Sequence, residues 1–223
     1  MSRIGDIACE FLGRGGKRLR PRLCRVAFEH HGGAGDLAPV CDAIECFHKA
    51  SLIHDDIQDG DEERYGRPTT WKEHGVAVAI AAGDWLVAHG YSLLAHSGFA
   101  AAAHMLTAAV ESHVRLCEGQ GDDLLRLTPA LFGGVAAPFD EEAYLSTCAR
   151  KTGEAFALAA QLGALAAGAD DAPWRAFGLA FGILFQIRDD LADGVAQPAL
   201  AHLRATYEAQ LAAHPLGRLF PLI

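Results

Sequence analysis

At 223 residues, of which 51% are hydrophobic, and with a formal net charge of -9, the chain can bury a substantial core and fits one large domain better than two small ones, since no linker divides it. The acidity excludes a nucleic-acid partner, which would require a basic face to displace counter-ions from the phosphate backbone. Alanine and leucine dominate the apolar residues while β-branched and aromatic runs are sparse, so helices are expected rather than sheet.

From the N-terminus, the first distinctive stretch is Gly15-Gly16-Lys17-Arg18-Leu19-Arg20-Pro21, a basic cluster whose glycines permit close backbone approach in an otherwise acidic chain. It suits an anion, although a basic run standing alone is as often a solvated turn. Helices are predicted from Pro21 to His30, stopped by Gly32-Gly33, and from Asp36 to Asp59, stopped by Gly60. The second of these ends in the acidic pentad Asp55-Asp56-Ile57-Gln58-Asp59. Residues Gly60 to Thr70 are polar and rich in turn formers, which predicts a surface loop placed to close over a ligand. Further helices are expected from about Val76 to Ala95, Ala100 to Arg126, Asp140 to Leu165 and Pro173 to Asp193, bounded by Pro129, Gly133-Gly134, Pro138, Gly168 and Gly194. The last ends in a second pentad, Asp189-Asp190-Leu191-Ala192-Asp193.

Within each pentad the first and last aspartates are i and i+4 neighbours, so their carboxylates stack on one helix face and repel without a counter-ion. Both pentads close helices at the negative end of the dipole, a placement that stability alone does not favour and that a bound cation offsets. Paired hard oxygens of this kind suit Mg²⁺, which keeps waters and bridges protein carboxylates to substrate phosphates. One such pentad is more often a solvated acidic helix end; its duplication argues for function. A calcium loop beginning at Asp55 fails at Ile57 and Gly66, where the EF-hand pattern places oxygen ligands.

His48 is one of eleven histidines and taken alone reads as structural. Lys151-Thr152-Gly153 is either plain surface or a pair of donors for a phosphate oxygen. Gln186, three residues before Asp189, is either a core amide or a neighbour of the second pentad. The six cysteines (Cys9, Cys24, Cys41, Cys46, Cys117 and Cys148) show no CxxC pair and no zinc-type spacing. That usage suits buried thiols in a reducing cytoplasm. No basic segment followed by an apolar stretch opens the chain, and the run from Val76 to Ala82 ends at Gly83-Asp84, so stable membrane insertion is not expected.

Together these residues resemble the trans-polyprenyl diphosphate synthase family. Gly15 to Pro21 is similar to its GGKRxRP motif, Ser51 to Asp59 to its first aspartate-rich (DDxxD) motif, Gly66 to Thr69 to its GRPT turn and Phe185 to Asp193 to its FQxxDDxxD motif, with Gly119-Gln120 and Lys151-Thr152-Gly153 as further matches. The resemblance implies an all-α isoprenoid-synthase fold: a single-domain bundle of antiparallel helices around a central apolar cavity, spanning residues 1–223 and shortened at both ends. It implies a Mg²⁺-dependent prenyltransferase, a homodimer, that condenses isopentenyl diphosphate with an allylic prenyl diphosphate. By the same resemblance Asp55, Asp56, Asp59, Asp189, Asp190 and Asp193 would ligate Mg²⁺, and Asp55, Asp56, Asp59, Asp189 and Lys151 would form the catalytic set. Arg64, Lys151, Thr152 and Gln186 would hold the allylic diphosphate, and Lys17, Arg20 and His48 the isopentenyl diphosphate. Ala50 stands where farnesyl-forming members place an aromatic floor, which implies a product of C20 or longer, with Phe47 or Trp85 as alternative floors.

The chain departs from the family pattern in two places: the paired arginines before GRPT read Arg64-Tyr65, and no lysine follows Lys151. Two other readings stay open on sequence: a class I terpene cyclase on the same scaffold, and a non-catalytic subunit of a heteromeric prenyl synthase.

Overall fold

A computed structural model describes residues 3–126, 140–194 and 198–222; the breakers Pro129, Gly133-Gly134 and Pro138 lie outside them. The described chain is almost wholly helical, as the composition implies, with one small two-stranded ribbon. It packs as two compact units, residues 1–22 with 35–106 and residues 23–34 with 107–223.

The first unit contains α1 (Arg3–Leu12), the start of α2 (Leu19–His30), α3 (Ala38–Asp59), α4 (Thr70–His74) and α5 (Val76–Ala95). Asp36 accepts the Ala38 N–H at 2.9 Å to start α3, and Gly60, at φ 72°, ends it in the left-handed conformation. The helix α1, not foreseen from sequence, lays Ala8 and Phe11 against Cys46, Ala50 and Ile53 of α3 and Ala79, Ala82 and Leu86 of α5.

Helix α5 spans Val76–Ala95, the bounds the sequence predicts, and runs through Gly83 and Asp84. Its glycines serve close packing. A Cβ at Gly83 would meet His54 Nε2 at 2.2 Å, and one at Gly90 would meet the Phe47 ring at 2.4 Å, so these glycines are where α3 approaches α5. By length and composition α5 is the one helix among the described residues that reaches the dimensions of a membrane span, contrary to the reading of a short run.

The stretch from Gly60 to Thr70 is also more ordered than a plain loop. Strands β1 (Glu63–Arg64) and β2 (Arg67–Pro68) pair antiparallel, with Glu63 opposite Pro68 and Arg64 opposite Arg67. Tyr65 and Gly66, at φ 55° and 71°, make the two-residue turn between them.

The second unit contains most of α6 (Ala102–Arg126), then α7 (Glu141–Cys148), a π-helical turn (Ala149–Gly153), α8 (Glu154–Ala166), α9 (Ala172–Ala192), α10 (Pro198–Ala213) and a closing 3₁₀ segment (Gly217–Leu222). Asp140 caps α7 by accepting the Glu142 and Ala143 N–H groups at 3.0 and 3.3 Å. The continuous helix expected from Asp140 to Leu165 is therefore interrupted at Ala149–Gly153. There α9 closes in, since a Cβ at Gly182 would lie 2.7 Å from the Gly153 Cα. Cys148, Ile183, Ile187, Leu200 and Leu203 form one core cluster. Glu154 is 3% exposed and joins α6 to α9 through Arg115 and Arg175, each at 2.8 Å.

Candidate functional site

The first pentad occupies the last turn of α3, where the i, i+4 spacing sends Asp55 and Asp59 outward, half-buried and exposed respectively. Asp56, one residue round the helix, is 0% exposed. Its Oδ1 accepts the Arg64 Nε–H at 2.5 Å, while its Oδ2 is buried without a hydrogen-bond partner among the described residues. Burial pushes the Asp56 carboxyl above the ordinary range, opposed by Arg64 and reinforced by Asp61 and Asp59. Arg64 also reaches Asp61 at 3.5 Å. In this structure Asp56 and Arg64 are thus partners in an internal ion pair.

The same unit carries the basic turn. Lys17 is exposed, Arg18 pairs with Asp42 at 3.0 Å and Glu45 at 4.0 Å, and Arg20 donates from Nη1 to His48 Nε2 at 3.3 Å. Burial first, then Arg20, Lys49 and Arg64, pushes His48 down to about 2, so the ring is neutral at physiological pH. Burial also lowers Arg20 to about 10, against the pull of Glu45 and Tyr65, which leaves it charged. Lys49, which sequence reasoning passed over, is 0% exposed and donates to the carbonyl oxygens of Arg14 and, at 2.9 Å, Gly15. A lysine inside an apolar helix gives no sign in sequence of which backbone it will meet. Beside the turn lies a cavity of about 570 Å³ lined by Leu12, Arg18, Asp42, Glu45 and Leu93 among others.

In the second unit Asp189 and Asp193 are exposed and Asp190 is half-buried. Asp190 closes a chain of hydrogen bonds: Thr152 Oγ1 donates to Gln186 Oε1 at 2.7 Å, Gln186 Nε2 donates to Asp190 Oδ1 at 2.8 Å, and Tyr144 OH donates to Asp190 Oδ2 at 2.5 Å. Burial and the bond to Asp190 hold the Tyr144 hydroxyl far above its ordinary pKa. Lys151 reaches Asp123 at 2.6 Å and Arg150 reaches Asp122 at 2.5 Å. Lys151 and Thr152 both belong to the π turn, which changes the direction of side chains relative to an unbroken helix. Tyr144 and Asp123 were not found from sequence; Asp123 had a faint signal, lying just after Gly119-Gln120.

The middle aspartate of each pentad is held by protein donors, while Asp59, Asp189 and Asp193 are exposed. Among the described residues no three His, Cys, Asp or Glu side chains converge to enclose a metal by themselves. Two surface carboxylates one helical turn apart fit a hard cation that completes its shell with water and phosphate oxygens, the habit of Mg²⁺ rather than of a caged ion.

A family model described as polyprenyl synthetase matches residues 2–202. The chain belongs to the polyprenyl synthetase family. It is 36% identical over 207 residues to a short chain isoprenyl diphosphate synthase of Methanothermobacter thermautotrophicus, covering 86% of this chain and 61% of that one. It is 39% identical over 184 residues to a geranylgeranyl diphosphate synthase of Mycobacterium tuberculosis, covering 80% and 51%. The chain therefore spans only about half to three-fifths of the length of these curated relatives. Among solved structures, a geranyltranstransferase of Thermotoga maritima superposes with a TM-score of 0.84 at 26% identity, covering 99% of this chain and 86% of that one. The all-α isoprenoid-synthase fold follows.

The positions that the family resemblance associates with chain length are closely packed. Ala50 is 1% exposed in the core with Ala8 and Phe11. Phe47 packs on Gly90 and lies 5.2 Å, ring to ring, from Tyr91. Trp85 stacks on His89 at 4.7 Å.

Proposed function

We propose that the chain carries a trans-prenyltransferase that condenses isopentenyl diphosphate with an allylic prenyl diphosphate, giving a trans-prenyl diphosphate of geranylgeranyl length (C20) or longer. The observation that carries this reading is the aspartate pentad repeated at the ends of α3 and α9, each with its middle aspartate anchored by protein donors. The names of the relatives, geranylgeranyl and geranylfarnesyl diphosphate synthases, support the product class.

Asp55 and Asp59 in the first unit and Asp189 and Asp193 in the second would hold Mg²⁺, with Asp56 and Asp190 as positioning residues. When bound, Mg²⁺ supplies positive charge that stabilises the departing diphosphate. Lys17 and Arg20 bring fixed positive charge to the isopentenyl diphosphate, and neutral His48 orients Arg20. Lys151, now on Asp123, and Thr152, now on Gln186, have donors that suit the oxygens of the allylic diphosphate. Coupling requires that the allylic C–O bond break, that the alkene of isopentenyl diphosphate attack the resulting carbocation, and that one proton then be lost.

We also place the protein in the cytoplasm as a homodimer. Its cysteines, with Cys24, Cys41, Cys46 and Cys148 buried and no CxxC pair, support the first, and exposed Val110 and Val114 on α6, 49% and 53% accessible, support the second. The deciding experiment is mass spectrometry of products formed with Mg²⁺, isopentenyl diphosphate and dimethylallyl, geranyl or farnesyl diphosphate, with matched reactions lacking isopentenyl diphosphate. Longer diphosphates that require isopentenyl diphosphate support the proposal. Hydrocarbons or alcohols formed without it, or no product at all, refute it.

A further inference from the structure

Tyr65 stands where the family places an arginine, and it adopts a conformation that bulky residues avoid. Its φ of 55° lies in the left-handed region, where two-residue hairpin turns ordinarily use Asn, Asp or Gly. A residue kept there despite the steric cost points to a role for its side chain.

The ring reaches the basic turn. Gly15 and Gly16 adopt φ 31° and 109°; a Cβ on Gly15 would lie 3.2 Å from the Tyr65 ring, and one on Gly16 would lie 3.6 Å from the Tyr65 hydroxyl. Lys49 Nζ sits 4.5 Å from the centre of the same ring while donating to the carbonyl oxygens of Arg14 and Gly15. The backbone of the turn is thus held by an ammonium group, and an aromatic face covers both. Arg14, at the start of the turn, is tied to the other strand of the hairpin through Pro68 O at 2.8 Å. The preceding residue, Arg64, holds Asp56. Adjacent hairpin residues therefore engage the pentad and the basic turn of the same unit.

We infer that Tyr65 is a positioning residue: with Lys49 it fixes the Gly15-Gly16 backbone so that Lys17 and Arg20 are presented to the diphosphate of isopentenyl diphosphate. The inference rests on the proposed function for the identity of that ligand. The arginine usual here would contribute charge to the diphosphate; in this chain the position contributes order instead, because the buried Lys49 ammonium needs an aromatic cover and would repel a second cation.

The test compares Tyr65→Ala, Tyr65→Phe and Lys49→Met with the parent chain by limited trypsin digestion, reading cleavage after Lys17 and Arg18, and by steady-state kinetics with each substrate varied. Tyr65→Ala is expected to speed cleavage at the turn severalfold and to raise KM for isopentenyl diphosphate about tenfold, the scale of losing a desolvated cation–π contact, while KM for the allylic substrate stays within about twofold. Lys49→Met should act in the same direction, and Tyr65→Phe, which keeps the ring, should behave as the parent. Unchanged cleavage in Tyr65→Ala, equal rises in both KM values, or a Tyr65→Phe variant as impaired as Tyr65→Ala would overturn the inference. If no elongation occurs in the parent, the functional reading fails, and the digestion alone still decides whether Tyr65 orders the turn.

Discussion

Replacing Asp190 by alanine separates an anchoring aspartate from a solvent-facing one in the same pentad. Asp190 accepts two hydrogen bonds, from Gln186 at 2.8 Å and Tyr144 at 2.5 Å. Hydrogen bonds to a charged acceptor contribute ~1.5–3 kcal/mol each, and the low end applies because Asp190 is only half-buried, so the loss is ~3 kcal/mol. For a chain of this size each kcal/mol moves Tm by roughly 2–4 °C, so Asp190→Ala should melt about 6–12 °C below the parent. Asp189 is exposed and sits at the negative end of α9; Asp189→Ala should leave Tm unchanged or raise it slightly, since it relieves ~0.3–1 kcal/mol of dipole repulsion. Differential scanning calorimetry without Mg²⁺ or substrate reads both effects free of ligand binding, and Tyr144→Phe, which removes one of the two bonds, should fall about midway. Equal Tm values for Asp189→Ala and Asp190→Ala would show that the middle aspartate is not an anchor.

Glu154→Gln should cost ~2–3 kcal/mol, because it leaves Arg115 and Arg175 without the carboxylate they share while their own partial exposure softens the loss. Burial raises the Glu154 carboxyl but its bonds to Arg175 and Arg115 outweigh that and lower it below its unfolded value of 4.5. Its stabilisation is therefore full above pH 4.5 and lost as pH falls through the folded value, and the acid limb of a Tm–pH profile should be shallower in Glu154→Gln. Gly163→Ala should destabilise by about 3 kcal/mol or more, since its Cβ would meet the Cys24 carbonyl oxygen at 2.1 Å and backbone cannot yield cheaply; a Tm near that of the parent would refute this packing. Ala50→Phe should destabilise by ~1–3 kcal/mol through overpacking in the core with Ala8 and Phe11, read as a lower Tm. Product analysis of the same variant tests chain-length control, with shorter products expected.

The helical character, the two pentads and the basic turn were legible in the sequence, because helix propensity and i, i+4 spacing are local properties that survive whatever the chain packs against. The purpose of the glycines in α5 is not local: Gly83 and Gly90 stand where His54 and Phe47 of α3 occupy the space a side chain would fill. Spacing alone placed Asp55 beside Asp56, and Asp189 beside Asp190, as equivalent candidates. Only tertiary structure decided that Arg64 on a hairpin draws Asp56 inward and that Tyr144 on α7 and Gln186 hold Asp190. The same holds for Lys49 against the Gly15 carbonyl and Glu154 between two arginines. A buried charge is tolerable only with its partners in place, and those partners lie tens of residues away in sequence.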